Sequence, residues 1–229
     1  GLGTPVNATE LQSIVRPVIN WQYSNYVYST DALATPIADL SESIISDTDS
    51  YDRCGGNSLF TVLIQTEDVG GTLHSILRIV EGEDADLAWE VDLGGTEEIK
   101  ASPVVVDLNY DGKQEIIISY DLSGTFYVKA YSPELVCTVT GWSPGGSHIT
   151  ELLWTYSDST LMIGSTDGPY VSSAYGGHRP TAQPLLADLD LDGTAELVLS
   201  LIEKNSDDPV ILALDITGTS ATTMWEKTL

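Results

Sequence analysis

Basic residues are scarce: nine Lys and Arg stand against 34 Asp and Glu, a formal net charge of −25 over 229 residues. A surface of that sign repels phosphate backbones and anionic headgroups, which argues against nucleic acid and anionic membranes as partners. It suits cation-rich surroundings, where salt screens the repulsion. Long hydrophobic runs are also missing, and none approaches membrane-spanning length. No basic segment followed by an apolar one opens the chain, so the pattern of a signal peptide is absent; a processed N-terminus has the same look. No stretch reads as a long amphipathic helix. Low lysine with abundant Ser, Thr, Asp and Gly reads as an extracellular β protein.

Histidine is rare as well. His74, His148 and His178 are scattered, with no nearby Ser or Cys signature of a nucleophile. There is no H-E-x-x-H, no phosphate loop and no dinucleotide fingerprint. Paired carboxylates for glycoside cleavage stay open, because acids occur throughout and sequence does not give their separations. A catalytic role is therefore not favoured. Cysteine is down to two, Cys54 and Cys137.

What is present is 42% hydrophobic residues in frequent short runs, enough for one large β domain or two small ones. The most informative stretch is Ser102 to Ser119, SPVVVDLNYDGKQEIIIS. Asp107, Asn109, Asp111 and Glu115 fall at positions 1, 3, 5 and 9 of a loop with Gly112 at 6, and Lys113 at 7 would offer its carbonyl. That is the ligand spacing of an EF-hand-type calcium loop. The flanks Val104-Val105-Val106 and Ile116-Ile117-Ile118 are β-branched, so the expectation is strand, calcium loop, strand. The loop recurs in QPLLADLDLDGTAELVL, with Asp188, Asp190, Asp192 and Glu196 at the same positions, Gly193 at 6 and Thr194 at 7. The competing reading is an acidic turn without metal. It leaves several like charges crowded together with no cation to neutralise them. Two Ca2+ sites are expected.

The tryptophans reveal a repeat. Trp21, Trp89, Trp154 and Trp225 are separated by 68, 65 and 71 residues, each in a similar setting, while Trp142 is out of phase. Four short strands can be laid out in each period, joined by Gly, Asp and Ser turns. Pro36, Pro103 and Pro184 open the first strand, where a missing N–H is tolerated. The expected fold is all-β: a β-propeller of four-stranded antiparallel blades, about three in this chain and part of a larger ring. Residues 1–20 are a lead-in and 21–34 an outer strand of the kind that closes a ring. Blade 1 covers 35–93, blade 2 covers 94–156, an inserted loop 157–182, and blade 3 covers 183–229. Blade 1 lacks the acidic motif after Asp39-Leu40; SESIISDTDSYDRCGGN reads as an extended acidic loop, the alternative being calcium held by Asp47, Asp49 and Asp52 in another geometry.

DLNYDGKQE and DLDLDGTAE, each behind a Pro-containing apolar strand, resemble the FG-GAP/VCBS repeats of integrin α-type propellers. ILRIVEGEDADLAWEVDL and ILALDITGTSATTMWEKTL resemble the outer strands of PQQ-type propeller repeats. The resemblance runs from Trp21 to the end of the chain, and it is specific for architecture and calcium loops rather than activity. A quinoprotein role is disfavoured because no adjacent cysteine pair is present.

In that geometry Cys54 and Cys137 lie on the same side of neighbouring blades, which favours a disulfide over two free buried thiols. Calcium would be structural. The inserted loop carries Tyr170, Tyr175, His178 and Arg179 among Gly and Ser, a composition suited either to binding a protein or glycan or to packing on a neighbouring domain. Asn7-Ala8-Thr9 is a glycosylation sequon at Asn7. The expectation is an extracellular, calcium-stabilised propeller segment with a structural or adhesive role at the cell surface. Its partners would be other blades or subunits and a cell-surface protein or glycan. The alternative is a propeller module of a polysaccharide-active enzyme or lectin.

Overall fold

The computed structural model describes residues 36–46, 54, 59–82, 86–94, 101–138, 140–143, 151–163, 184–206 and 208–229. In chain order the strands are β1 (Ile37–Asp39), β2 (Ile44–Ser46), β3 (Leu59–Val69), β4 (Thr72–Glu81) and β5 (Leu87–Asp92). Then come β6 (Val104–Val106), β7 (Glu115–Leu122), β8 (Thr125–Ser132), β9 (Leu135–Thr138), β10 (Gly141–Trp142) and β11 (Glu151–Asp158). The last are β12 (Leu161–Met162), β13 (Leu185–Ala187), β14 (Glu196–Glu203), β15 (Pro209–Ile216) and β16 (Ala221–Thr228). The fold is all-β, with one short 3-10 turn at Ser41–Ser43 among the described residues. Among these residues no helix is long and apolar enough to cross a membrane. The lead-in, the Trp21 strand, Asn7 and most of the inserted loop, including Tyr170, Tyr175, His178 and Arg179, lie outside the described residues.

Three antiparallel sheets follow one plan. The first has strand order β1-β3-β4-β5, the second β6-β7-β8-β11, and the third runs β13-β14-β15-β16, with β12 also pairing β14. Short hairpins join the two central strands. The first is Gly70-Gly71, both at positive φ, a two-residue turn whose twist matches its strands.

The middle sheet is sandwiched. Ile116 and Ile118 pack with Phe60, Leu77, Ile79 and Trp89 of the first sheet, while Ile117, Phe126 and Val128 pack with Leu197, Leu199 and Leu212 of the third. Alternate side chains of a strand point to opposite faces, so a strand buried on both faces must be apolar at every position. That explains why Ile116-Ile117-Ile118 is an unbroken run.

Each of these three sheets carries the same irregularity. The register slips by one residue beside Trp89, Trp154 and Trp225, so that Ala88, Leu153 and Met224 stand without a Cα partner. Such a bulge bends the strand and re-aims the next side chain. Trp89 meets Tyr131 of the second sheet edge-on at 6.4 Å between ring centroids. Trp154 donates its indole N–H to the Thr217 carbonyl of the third sheet at 2.9 Å.

Two features add to the expected layout. Part of the acidic stretch after Leu40 is not loop: β2 pairs in parallel with β9, and β10 completes a small separate sheet that takes in the out-of-phase Trp142. Cys54 and Cys137, 83 residues apart in sequence, form a disulfide beside this sheet, with Cα atoms 6.0 Å apart. The strand pair and the disulfide fasten the first repeat to the second. β12, at the start of the segment read as an inserted loop, lengthens the third sheet by pairing with the far end of β14. Asp47, Asp49 and Asp52 fall outside the described residues.

Candidate metal centre

Both acidic loops connect the first strand of a sheet to the strand it pairs with, β6 to β7 and β13 to β14. Their backbones match. Tyr110 and Leu191, at position 4, have φ of 59° and 64°; Gly112 and Gly193, at position 6, have φ of 91° and 96°. The left-handed conformation is costly for Tyr and Leu and free for Gly, so the Gly at position 6 is required by the turn.

The internal hydrogen bonds match as well. Gly112 N–H donates to Asp107 at 3.0 Å, and Gly193 N–H to Asp188 at 3.2 Å. Asp111 N–H donates to Asn109 at 2.9 Å, and Asp192 N–H to Asp190 at 3.1 Å. Lys113 N–H and Thr194 N–H reach Asp111 and Asp192, both at 2.8 Å. At position 9 the carboxylates of Glu115 and Glu196 accept from Leu108 N–H at 2.7 Å and Leu189 N–H at 2.5 Å. Each loop thus folds around its own acids, and Glu115 and Glu196 are 0% and 1% exposed.

In the second loop, carboxylate oxygens of Asp188, Asp190 and Glu196 lie within 4.8 Å of one another, and this acidic group is suited to hold a metal ion. An all-oxygen set fits a hard cation of the calcium or magnesium kind. Asp192, expected as a ligand, stands outside the trio. Its carboxylate takes the Thr194 hydroxyl at 2.5 Å as well as the Thr194 N–H. The two Thr194 bonds hold the Asp192 carboxyl below its usual range. In the first loop Asp107, Asp111 and Glu115 do not converge to the same distance, and Asn109 Nδ2 donates to Asp111 at 3.1 Å.

Burial pushes the Glu115 carboxyl up; the Leu108 N–H opposes this, while the charges of Asp111 and Asp107 add to it. An anion held in that setting is one that a bound cation would stabilise.

No protein-family model matches the chain, and no curated protein is similar to it. Among solved structures it is similar to an exotype rhamnogalacturonan lyase, YesX, at 17% identity and a TM-score of 0.38. The match covers 76% of this chain and 34% of the lyase.

Sequence spacing did not reveal how the two loops meet. Tyr110 of the first loop donates its hydroxyl to the Gly193 carbonyl of the second at 2.8 Å. Asn109 lies against the β15–β16 turn, where a Cβ added to Gly218 would come 2.7 Å from the Asn109 Cβ. Both contacts cross between sheets, and no local pattern carries them.

Proposed function

We propose that the chain is a calcium-stabilised β-propeller segment of the FG-GAP/VCBS kind, extracellular, with a structural or adhesive role at the cell surface. One observation carries the architecture. Pro36, Pro103 and Pro184, with the residues that follow each, line a single open hollow of about 540 Å³. Equivalent positions of three repeats converge on it, which is what inner strands do around a propeller axis. The shared bulge and the sheet-to-sheet packing of Trp89 and Trp154 support the same reading. The Cys54–Cys137 disulfide suits an oxidising compartment.

Calcium is assigned first to Asp188, Asp190 and Glu196, whose oxygens already converge; Asp192 and Thr194 join them once Asp192 turns out of its Thr194 bonds, and Asp107, Asn109, Asp111, Lys113 and Glu115 are assigned in the matching loop. The ion neutralises acids drawn from one hairpin, so its binding energy becomes folding energy. For an affinity on the order of 0.1–1 mM, each site at ten- to hundred-fold excess calcium adds roughly 1–3 kcal/mol. With both sites filled, scanning calorimetry of the whole chain should give a Tm higher by roughly 6–20 °C in calcium than in excess chelator. A Tm that ignores the chelator overturns the metal reading. A glycan array run beside a polysaccharide-cleavage assay tests the role: sugar binding or cleavage replaces the scaffold with a lectin or polysaccharide-active module.

A further inference from the structure

The two loops belong to different sheets, yet one side chain joins them. Tyr110 stands between Asn109 and Asp111 in the first loop, and its hydroxyl reaches the Gly193 carbonyl at 2.8 Å. The peptide that supplies this carbonyl continues into Thr194 N–H, which bonds Asp192. Gly193 N–H bonds Asp188. The residue that Tyr110 holds is therefore anchored to two acids of the second loop. Leu191, the counterpart of Tyr110, has no hydroxyl and is 85% exposed, so the link runs one way in its chemistry.

We infer that Tyr110 is a positioning residue that couples the two metal loops, so that a cation seated in the first loop raises the affinity of the second. The inference rests on the metal sites proposed above. A cation drawing in Asp107, Asn109 and Asp111 fixes the backbone of residue 110 between them. Fixing residue 110 aims its hydroxyl at Gly193, and Gly193 then holds Asp188 and Asp192 in place. The contact of Asn109 with Gly218 keeps the first loop seated against the third sheet while this happens.

The test is a double-mutant cycle read by calcium titration calorimetry on the full chain. Asp107→Ala removes the first site, and Tyr110→Phe removes only the hydroxyl. One exposed hydrogen bond sets the scale at roughly two- to five-fold in affinity. Asp107→Ala should weaken the remaining site by that factor. In the Tyr110→Phe background the same substitution should leave the second site unchanged. A second measurement needs no metal: amide exchange at Thr194 should be faster in Tyr110→Phe. Two ions bound, with the second site indifferent to both substitutions, overturns the coupling and leaves the metal sites standing. No calcium bound by the unsubstituted chain overturns both. Unchanged exchange at Thr194 also refutes the positioning role. Tyr110 is 67% exposed, so removing its hydroxyl leaves folding intact.

Discussion

Asp158 ends β11, and its carboxylate accepts the Thr160 N–H at 2.7 Å and the Thr160 hydroxyl at 2.6 Å. Burial works to raise its pKa. The Thr160 bonds, the Leu161 N–H and the charge of Lys204 outweigh that and hold it below the usual carboxylate range. As pH falls, the unfolded chain takes up this proton first. The stabilisation is therefore complete above the ordinary value of 3.8 and is lost as pH drops through the lower folded value. Asp158→Asn should cost at most about 1 kcal/mol at pH 7, because solvent screens the site, and clearly less near pH 2. Urea unfolding at both pH values checks this; a difference that persists undiminished in acid refutes it. At this scale the acids of both loops were legible in the sequence, because a turn motif places its side chains by local spacing. The withdrawal of Asp192 into the Thr194 bonds was not, since it depends on which rotamer the neighbouring hydroxyl captures.

Gly218 sits in the turn between β15 and β16, and its α-carbon faces Asn109 of the first acidic loop. A methyl group there meets the Asn109 Cβ at 2.7 Å, so one of the two elements must move. Gly218→Ala should destabilise by roughly 1–3 kcal/mol and should also weaken calcium at the first loop, where Asn109 is a proposed ligand. Chemical denaturation and a calcium titration read the two effects separately. Full stability with unaltered calcium affinity would show that the turn yields freely. The strands themselves were largely legible: short apolar runs between Gly and Asp turns mark β7, β14 and their neighbours. The small sheet of β2, β9 and β10 was not. Its parallel pairing joins Ile44 to Leu135, segments far apart in sequence, and neither has a turn signal pointing to the other. The bulges beside Trp89, Trp154 and Trp225 were hidden for a related reason. An extra residue leaves no mark in composition, only in what it pairs with.

Three sheets of one plan stack so that the tryptophan strands of the first two are closed by the sheet that follows. Trp89 is 3% exposed against the second sheet and Trp154 is 6% exposed against the third, whereas Trp225, on the same bulge of the third sheet, is 39% exposed. The periodic indoles showed the repeat in the sequence, but equal spacing conceals this inequality, because burial depends on what stands beside the strand. The energetic consequence is direct. Trp154→Ala removes a ring packed on Leu197, Leu212 and their neighbours and leaves the Thr217 carbonyl without its donor. It should cost about 3–5 kcal/mol. Trp225→Ala gives up a ring already in part hydrated, and in the 229-residue chain should cost less than half as much. Urea denaturation of the two variants measures the ratio, and equal losses would contradict the sheet-on-sheet account. Placed in an assembly that supplies a fourth sheet against β16, Trp225 becomes the counterpart of Trp154. Its substitution should then cost as much, because the same bulge would be aiming the same ring into an equally dry interface.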